Sequence, residues 1–148
     1  MPALIHFIWV GENPVPAQFA EKLLPQWQEV HGDKFEIKVW KEEDLETLEL
    51  RNGNIIKDKA LNPGLRADFL RLELLFQKGG IYADIDMTCE RSLEPLLSLK
   101  ASFITSISYT NAFEVNNGLL IARPGSPAVS YLIDQLTDSF QNAEKSNG

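Results

Sequence analysis

The stretch "GLRADFLRLELLFQKGGIYADIDM", from Gly64 to Met87, decides how this chain is read. With Leu65 at zero and 100° per residue, Leu65, Phe69, Leu72 and Phe76 fall on one apolar face. Ala67, Leu70 and Leu74 fall on a second, so the pattern predicts a helix over 65–78 that is buried on two sides. Gly79 stops it. Ile81 to Asp84 then reads as a short buried strand. Two aspartates, Asp84 and Asp86, sit one residue apart at its end.

Outward from this segment, helical and extended patterns alternate. Leu4 to Trp9 is an apolar run closed by Gly11, a first buried strand, with His6 as a core or rim residue. Pro16 can open a helix, and Phe19, Leu23, Leu24 and Trp27 recur at helical spacing. Pro25 inside that pattern predicts a kink or a break. Phe35, Ile37 and Val39 alternate with Glu36, Lys38 and Trp40, a half-buried strand. "KEEDLETLEL" reads as a polar helix that "RNGN" breaks. A short helix is expected around Leu93 to Leu97, strands at "SFITSISY" and "GLLIA", and a last helix from Pro127 to about Phe140 with a frayed tail. Strands alternating with helices indicate an α/β fold with a largely parallel sheet, in which ligands bind beyond the carboxyl ends of the strands. The aspartate pair lies at such an end.

Composition narrows the function. The 148 residues are 44% hydrophobic, enough for one domain (1–148) with a sizeable core. No apolar run reaches the ~18 residues of a membrane span. A net charge of −7 argues against a nucleic-acid partner. It leaves room for a phosphorylated ligand bridged by a cation. The single cysteine, Cys89, excludes an intrachain disulfide, fits a reducing compartment and is expected to pack.

On an extended segment Tyr82, Asp84 and Asp86 share a face, with the two aspartate α-carbons roughly 6.6 Å apart. Two close carboxylates repel, and Mg²⁺ or Mn²⁺ between them removes that cost while binding phosphate oxygens. A solvated loop carrying two acids is the plainer reading. Asp68 and Arg71 are i, i+3 neighbours on the stripe between the helix's apolar faces: either a local ion pair, or a pair that takes sugar hydroxyls and a phosphate. Trp9 is either packing or a platform for a nucleobase. Asn116 and Asn117, ahead of the "GLLIA" strand, either reach the site or make the turn.

Taken together, "IHFIWVG", "GLRADFLRLELLFQKGGIYADIDM" and "NNGLLIARPGSP" resemble the DXD-containing sugar transferases, from about Leu4 to Pro127. That superfamily includes the yeast initiating α-mannosyltransferases, related bacterial transferases and the glucosylating domains of the clostridial toxins. The resemblance implies a GT-A fold, a mixed and mainly parallel sheet flanked by helices. It implies transfer of a sugar from a nucleotide-diphosphate donor with retention of configuration. By motif position it implies Asp86 as ligand of Mn²⁺ or Mg²⁺, with Asp84 binding ribose or sugar and supporting the metal. It places Asp68 and Arg71 on the donor sugar and phosphate, Tyr82 in the lining and Trp9 on the base. UDP-sugars are the first expectation and GDP-mannose the second; the acceptor stays open.

Such domains usually run longer, and their C-terminal part supplies further metal and acceptor groups, often His, Asn or Trp. Here no His or Trp follows Trp40, and about 60 residues follow the aspartate pair. The expectation is a compact variant or a C-terminally truncated domain. Without the anchor of Golgi members, a bacterial cytosolic or delivered enzyme is expected. Two alternatives remain. One is a non-catalytic nucleotide-sugar-binding module. The other is a haloacid-dehalogenase-type phosphatase, since "IYADIDMT" also fits D-x-D-x-T with Asp84 as nucleophile and Asp86 as general acid. That family needs a later lysine and acidic pair, for which Lys100, Asp134 and Asp138 are poor candidates.

Overall fold

A computed structural model describes residues 1–109 and 111–147. Five strands and four α-helices organise them: β1 (Leu4–Trp9), α1 (Leu24–His31), β2 (Glu36–Lys41), α2 (Gly53–Ile56), α3 (Pro63–Lys78), β3 (Gly80–Ala83), β4 (Phe103–Tyr109), β5 (Phe113–Ala122) and α4 (Pro127–Asn147). The strands form one sheet in the order β2-β1-β3-β5-β4. β1 pairs in parallel with β2 and β3, and β5 pairs antiparallel with β3 and β4. Four strands therefore run one way and β5 the other, the mixed and mainly parallel sheet expected.

Side-chain alternation divides the core between the two faces of the sheet. Ile5, Phe7, Ile81 and Ala83 pack with Phe19, Leu23 and Trp27 on one side. Ile8, Tyr82 and Leu120 pack on the other side with Phe69, Leu70 and Leu74 of α3 and Ile133 of α4. β3 lies between β1 and β5, which explains its continuous apolar run. The Gly79–Gly80 pair is imposed by backbone: φ is +68° and +101°. A Cβ would lie 2.5 Å from Pro124 Cδ at the first and 2.6 Å from the Leu4 carbonyl at the second. The carbonyl of Gly79 also accepts from His6 Nε2 at 2.8 Å, while His6 Nδ1 accepts from Trp40 Nε1 at 3.1 Å. His6 is thus the core residue expected, and burial pushes its pKa down.

Several boundaries differ from expectation. Pro25 does not end the helical run: a π-helical turn over Phe19–Leu23 gives way to α1 at Leu24, and the Leu24 amide reaches the Phe19 carbonyl. The wider turn absorbs the hydrogen bond that proline cannot make. "KEEDLETLEL" forms a 3-10 helix, Glu42–Thr47, and the segment expected to break it carries α2. A second 3-10 helix, Glu94–Ser98, covers the short helix expected near Leu93. β5 starts five residues earlier than "GLLIA", so Asn116 and Asn117 lie within the strand. α4 continues through the tail expected to fray. Among the described residues no helix is long and apolar enough to cross a membrane.

Candidate active site

β3 ends at Ala83, and the chain turns at once: the Met87 amide bonds the Asp84 carbonyl at 3.1 Å. The extended face expected for Tyr82, Asp84 and Asp86 therefore does not form. Asp84 stays half-buried at the end of the strand, and the turn carries Asp86 out to an exposed position. Both residues line one cleft.

Arg71 of α3 is the hub beside Asp84. Its Nη2 donates to Asp68 Oδ1 at 2.8 Å and its Nη1 to the Asn117 carbonyl at 2.8 Å. Nη1 lies 3.7 Å from Asp84 Oδ1, and the guanidinium carbon sits 4.7 Å from the centre of the Tyr82 ring. The Tyr82 hydroxyl donates to the same Asp84 oxygen at 2.7 Å. Arg71 is 13% exposed against 53% for Asp68, so the cation is largely desolvated while its partner is wet. Burial raises the Asp68 pKa, Arg71 pulls it down, and the Asp84 charge raises it further. Burial, helped by the bond to Asp84, pushes the Tyr82 phenol far up, so it remains a donor. Arg71 Nε is buried with no hydrogen-bond partner among the described residues.

Two cavities flank this hub. A cleft of about 520 Å³ is lined by Trp9, Gly11, Tyr82, Asp84 and Asp86, with the start of α3 opposite. A smaller chamber of about 280 Å³ is lined by Asp68, Arg71 and Asn117 together with α4. Of the eight residues singled out in the sequence, four meet in the cleft and three in the chamber, while Asn116 lines neither and accepts from the Gly118 amide. The Arg71–Asp84 contact joins the two sets. Asn117 contributes its backbone carbonyl rather than its amide.

Other residues, with little local signature in the chain, hold these groups in place. Trp9 Nε1 donates to the Asn13 carbonyl at 2.7 Å, fixing the indole at the cleft mouth. The Gly11 amide donates to Glu42 Oε2 at 2.8 Å, and the other Glu42 oxygen accepts from Arg66, which is 1% exposed. Arg66 Nε donates to the Ile56 carbonyl at 2.7 Å. This strut ties the exit of β1 to α3, and burial of an arginine among apolar helix positions gives no periodic signal. α1 clamps the segment after Asp86 in the same manner. Trp27 Nε1 donates to the Met87 carbonyl at 2.9 Å, Gln26 accepts from the Cys89 amide at 3.1 Å, and His31 Nε2 accepts from the Leu93 amide at 3.0 Å. Cys89 is buried, as expected, and burial raises its pKa. Gly118 is also needed at the site: its carbonyl accepts the Asp84 amide at 2.8 Å, and its α-carbon faces the Asp84 carboxylate.

Among the described residues no group of three or more His, Cys, Asp or Glu is placed to hold a metal by itself. The donor set is instead two carboxylates on an open cleft. That fits Mg²⁺ or Mn²⁺ chemistry, in which one or two carboxylates share the cation with phosphate oxygens and water. With one Asp84 oxygen engaged by Tyr82 and Arg71, Oδ2 and the Asp86 carboxylate would be the groups left to hold such a cation. The phosphatase alternative finds no support in the lining: Lys100, Asp134 and Asp138 are not part of the cleft.

A family model described as "Glycosyltransferase sugar-binding region containing DXD motif" matches residues 17–103. An uncharacterized glycosyltransferase of Acanthamoeba polyphaga mimivirus is 28% identical over 144 residues, 92% of this chain and 55% of the relative. Inositol phosphoceramide mannosyltransferase 1 of Schizosaccharomyces pombe is 26% identical over 93% of this chain and 43% of its own length. The chain thus spans about half the length of these curated relatives. The solved structure of the PaToxG glycosyltransferase shares the fold: the TM-score is 0.75 at 17% identity, covering 97% of this chain and 63% of that one.

Proposed function

The chain belongs to the family of glycosyltransferase sugar-binding regions containing a DXD motif, and from that premise we propose that it is the donor-binding domain of a metal-dependent glycosyltransferase. Its donor is a nucleoside diphosphate sugar, and transfer proceeds with retention of configuration, as the family likeness suggests. The observation that carries the reading is the aspartate pair at the carboxyl end of β3, opening onto a cleft that also holds Trp9.

In this reading Trp9 stacks on the base, its indole already fixed through Asn13. Asp84 and Asp86 hold Mn²⁺ or Mg²⁺ on the diphosphate. Bound there, such a cation would supply positive charge against the diphosphate leaving group. Tyr82 and Arg71 orient Asp84, one by hydrogen bond and one by charge. Asp68 and Arg71 bind donor-sugar hydroxyls and the adjoining phosphate. UDP-sugars and GDP-mannose are the donors to test, the second supported by the mannosyltransferase named among the relatives. Turnover tests the reading. Mn²⁺-dependent release of UDP or GDP from these donors, lost in Asp86→Ala, is expected. Binding of donor without any release or transfer would instead favour a non-catalytic binding module.

A further inference from the structure

The segment from Ile85 to Leu93, which carries Asp86 away from β3, forms neither strand nor helix. Apart from turns with its immediate neighbours, its backbone hydrogen bonds reach only α1 among the described residues. Gln26 takes the Cys89 amide, Trp27 the Met87 carbonyl and His31 the Leu93 amide. A cavity of about 320 Å³ lies against Trp27, Met87, Cys89 and Leu93, so the segment has room to move. Of the three side chains that hold it, His31 alone can change its charge.

The partners of His31 fix its protonation state. An amide only donates, so Nε2 accepts from Leu93 at 3.0 Å. A carbonyl only accepts, so Nδ1 carries the proton, aimed at the Trp27 carbonyl at 3.3 Å with the Cys89 sulfur at 3.8 Å. The ring is 2% exposed, stacked on Trp27 with centroids 5.4 Å apart and set edge-on to Phe35. A proton on Nε2 would set N–H against N–H at Leu93 and leave a charge among aromatic rings. The one titratable group facing the ring among the described residues is the Cys89 thiol, whose pKa burial raises. Glu29, Asp33, Lys34, Glu90, Arg91 and Glu94 on the surrounding segments are exposed and do not pair with it; Lys34 and Glu94 pair with each other at 2.8 Å. Burial, opposed by the Trp27 carbonyl, lowers the His31 pKa.

We propose that His31 is a positioning residue for the segment that carries Asp86: neutral, it holds that segment against α1, and protonated, it releases it. The release reaches Asp86 by two routes. The Leu93 end comes free, and a displaced imidazole disturbs the Trp27 indole stacked on it, whose N–H holds Met87 next to Asp86. The consequence for nucleotide binding rests on the donor reading above. A cation and diphosphate that need Asp86 in place favour the neutral ring, and by linkage acid weakens their binding to the same extent that they resist protonation of His31.

An NMR titration from about pH 8 to about pH 5 reads the clamp without any ligand. The His31 ring, the Leu93 amide and the Trp27 indole signals should shift together, at one midpoint below the ordinary 6.5. The Trp9 indole, held by Asn13, should stay still, and the Trp40 indole reports on His6 instead. His31→Gln can accept from Leu93 and donate to Trp27 but does not titrate, so there the Leu93 and Trp27 signals should hold steady. A His31 that titrates without moving Leu93, or that stays neutral until the whole chain unfolds, overturns the proposal. Calorimetry with Mn²⁺ and UDP or GDP then reads the coupling. Between about pH 7.5 and about pH 5.5 the unmodified chain should lose about fivefold more affinity than His31→Gln. His31→Leu, which leaves the Leu93 amide unpaired, should bind about fivefold more weakly already at the higher pH. Parallel pH profiles for the unmodified chain and His31→Gln would overturn the positioning role. A chain that binds neither diphosphate overturns the donor reading, and the NMR titration then decides the clamp by itself.

Discussion

Gly118→Ala is a small substitution with a directed effect. The Gly118 carbonyl accepts the Asp84 amide at 2.8 Å, and its own amide donates to Asn116 Oδ1 at 2.7 Å. The residue sits where β5 bulges: Thr105 faces Leu120 but Ser106 faces Asn116. A Cβ there would lie 2.8 Å from Asp84 Oδ2, 2.8 Å from Asn116 Oδ1 and 3.3 Å from Met87 Cε. Ordinary contact begins at 3.4 Å, so each oxygen must retreat by about 0.6 Å (3.4 less 2.8). Gly118 is not among the glycines with positive φ, so the strain is steric and falls on the carboxylate. Overpacking of this kind costs about 1–3 kcal/mol of stability. Since a 1 Å misplacement can cost ~10²-fold, a loss on the order of tenfold in Mn²⁺-dependent nucleotide affinity is expected. Gly125→Ala supplies the control: φ is +72° and nothing lies within 4 Å of its Cβ. It should lose about 1–2 kcal/mol from the backbone alone and bind normally. Denaturant unfolding gives the stabilities and calorimetry the affinities. Equal nucleotide affinity in the two variants, at comparable loss of stability, would refute the role given to the Gly118–Asp84 contact.

Three further outcomes follow from the supports around the site. Trp27→Phe keeps the ring but removes the donor to the Met87 carbonyl. It should cost about 1–3 kcal/mol of stability and weaken Mn²⁺-dependent binding, and calorimetry showing unchanged affinity would release Trp27 from any positioning role. Arg66→Met leaves Glu42 without its cation and should cost about 3 kcal/mol, the low end for a broken buried pair because Glu42 is 21% exposed. A loss below ~1 kcal/mol in chemical denaturation would show the pair to be weak. Burial lowers the pKa of both His6 and His31 from the ordinary 6.5. The unfolded chain then binds protons first as pH falls, so this contribution is full above pH 6.5 and is lost as pH drops through the interval down to the folded values. The urea midpoint should fall between pH 7.5 and 5.5, and His31→Gln should reduce the slope; a flat profile would mean neither imidazole is held neutral.

What the sequence disclosed depended on periodicity. α3 and β3 were legible because sixteen helical positions repeat a pattern tied to burial and four strand positions form one continuous buried run. The aspartate pair was legible because it follows an apolar strand. Its geometry was not: the turn at Asp84 is set by the Met87 amide on the Asp84 carbonyl and by the Asp84 amide on Gly118 of β5, neither of which has a local signature. Arg66, Glu73 and Glu42 were invisible for a similar reason. A buried charge is permitted by a partner distant in sequence, as Glu73 is by the Arg51 and Asn52 amides. The length of α4 was missed because a polar tail and a solvent-facing helix end share a composition.

The central claim is that Asp84 and Asp86 hold a nucleoside diphosphate through a divalent cation. The most direct measurement titrates UDP, then GDP, into the protein by calorimetry with and without Mn²⁺, beside Asp86→Ala. Binding of one diphosphate that requires Mn²⁺ and disappears in the variant is the predicted result. Binding that ignores both the metal and the Asp86 substitution would contradict it.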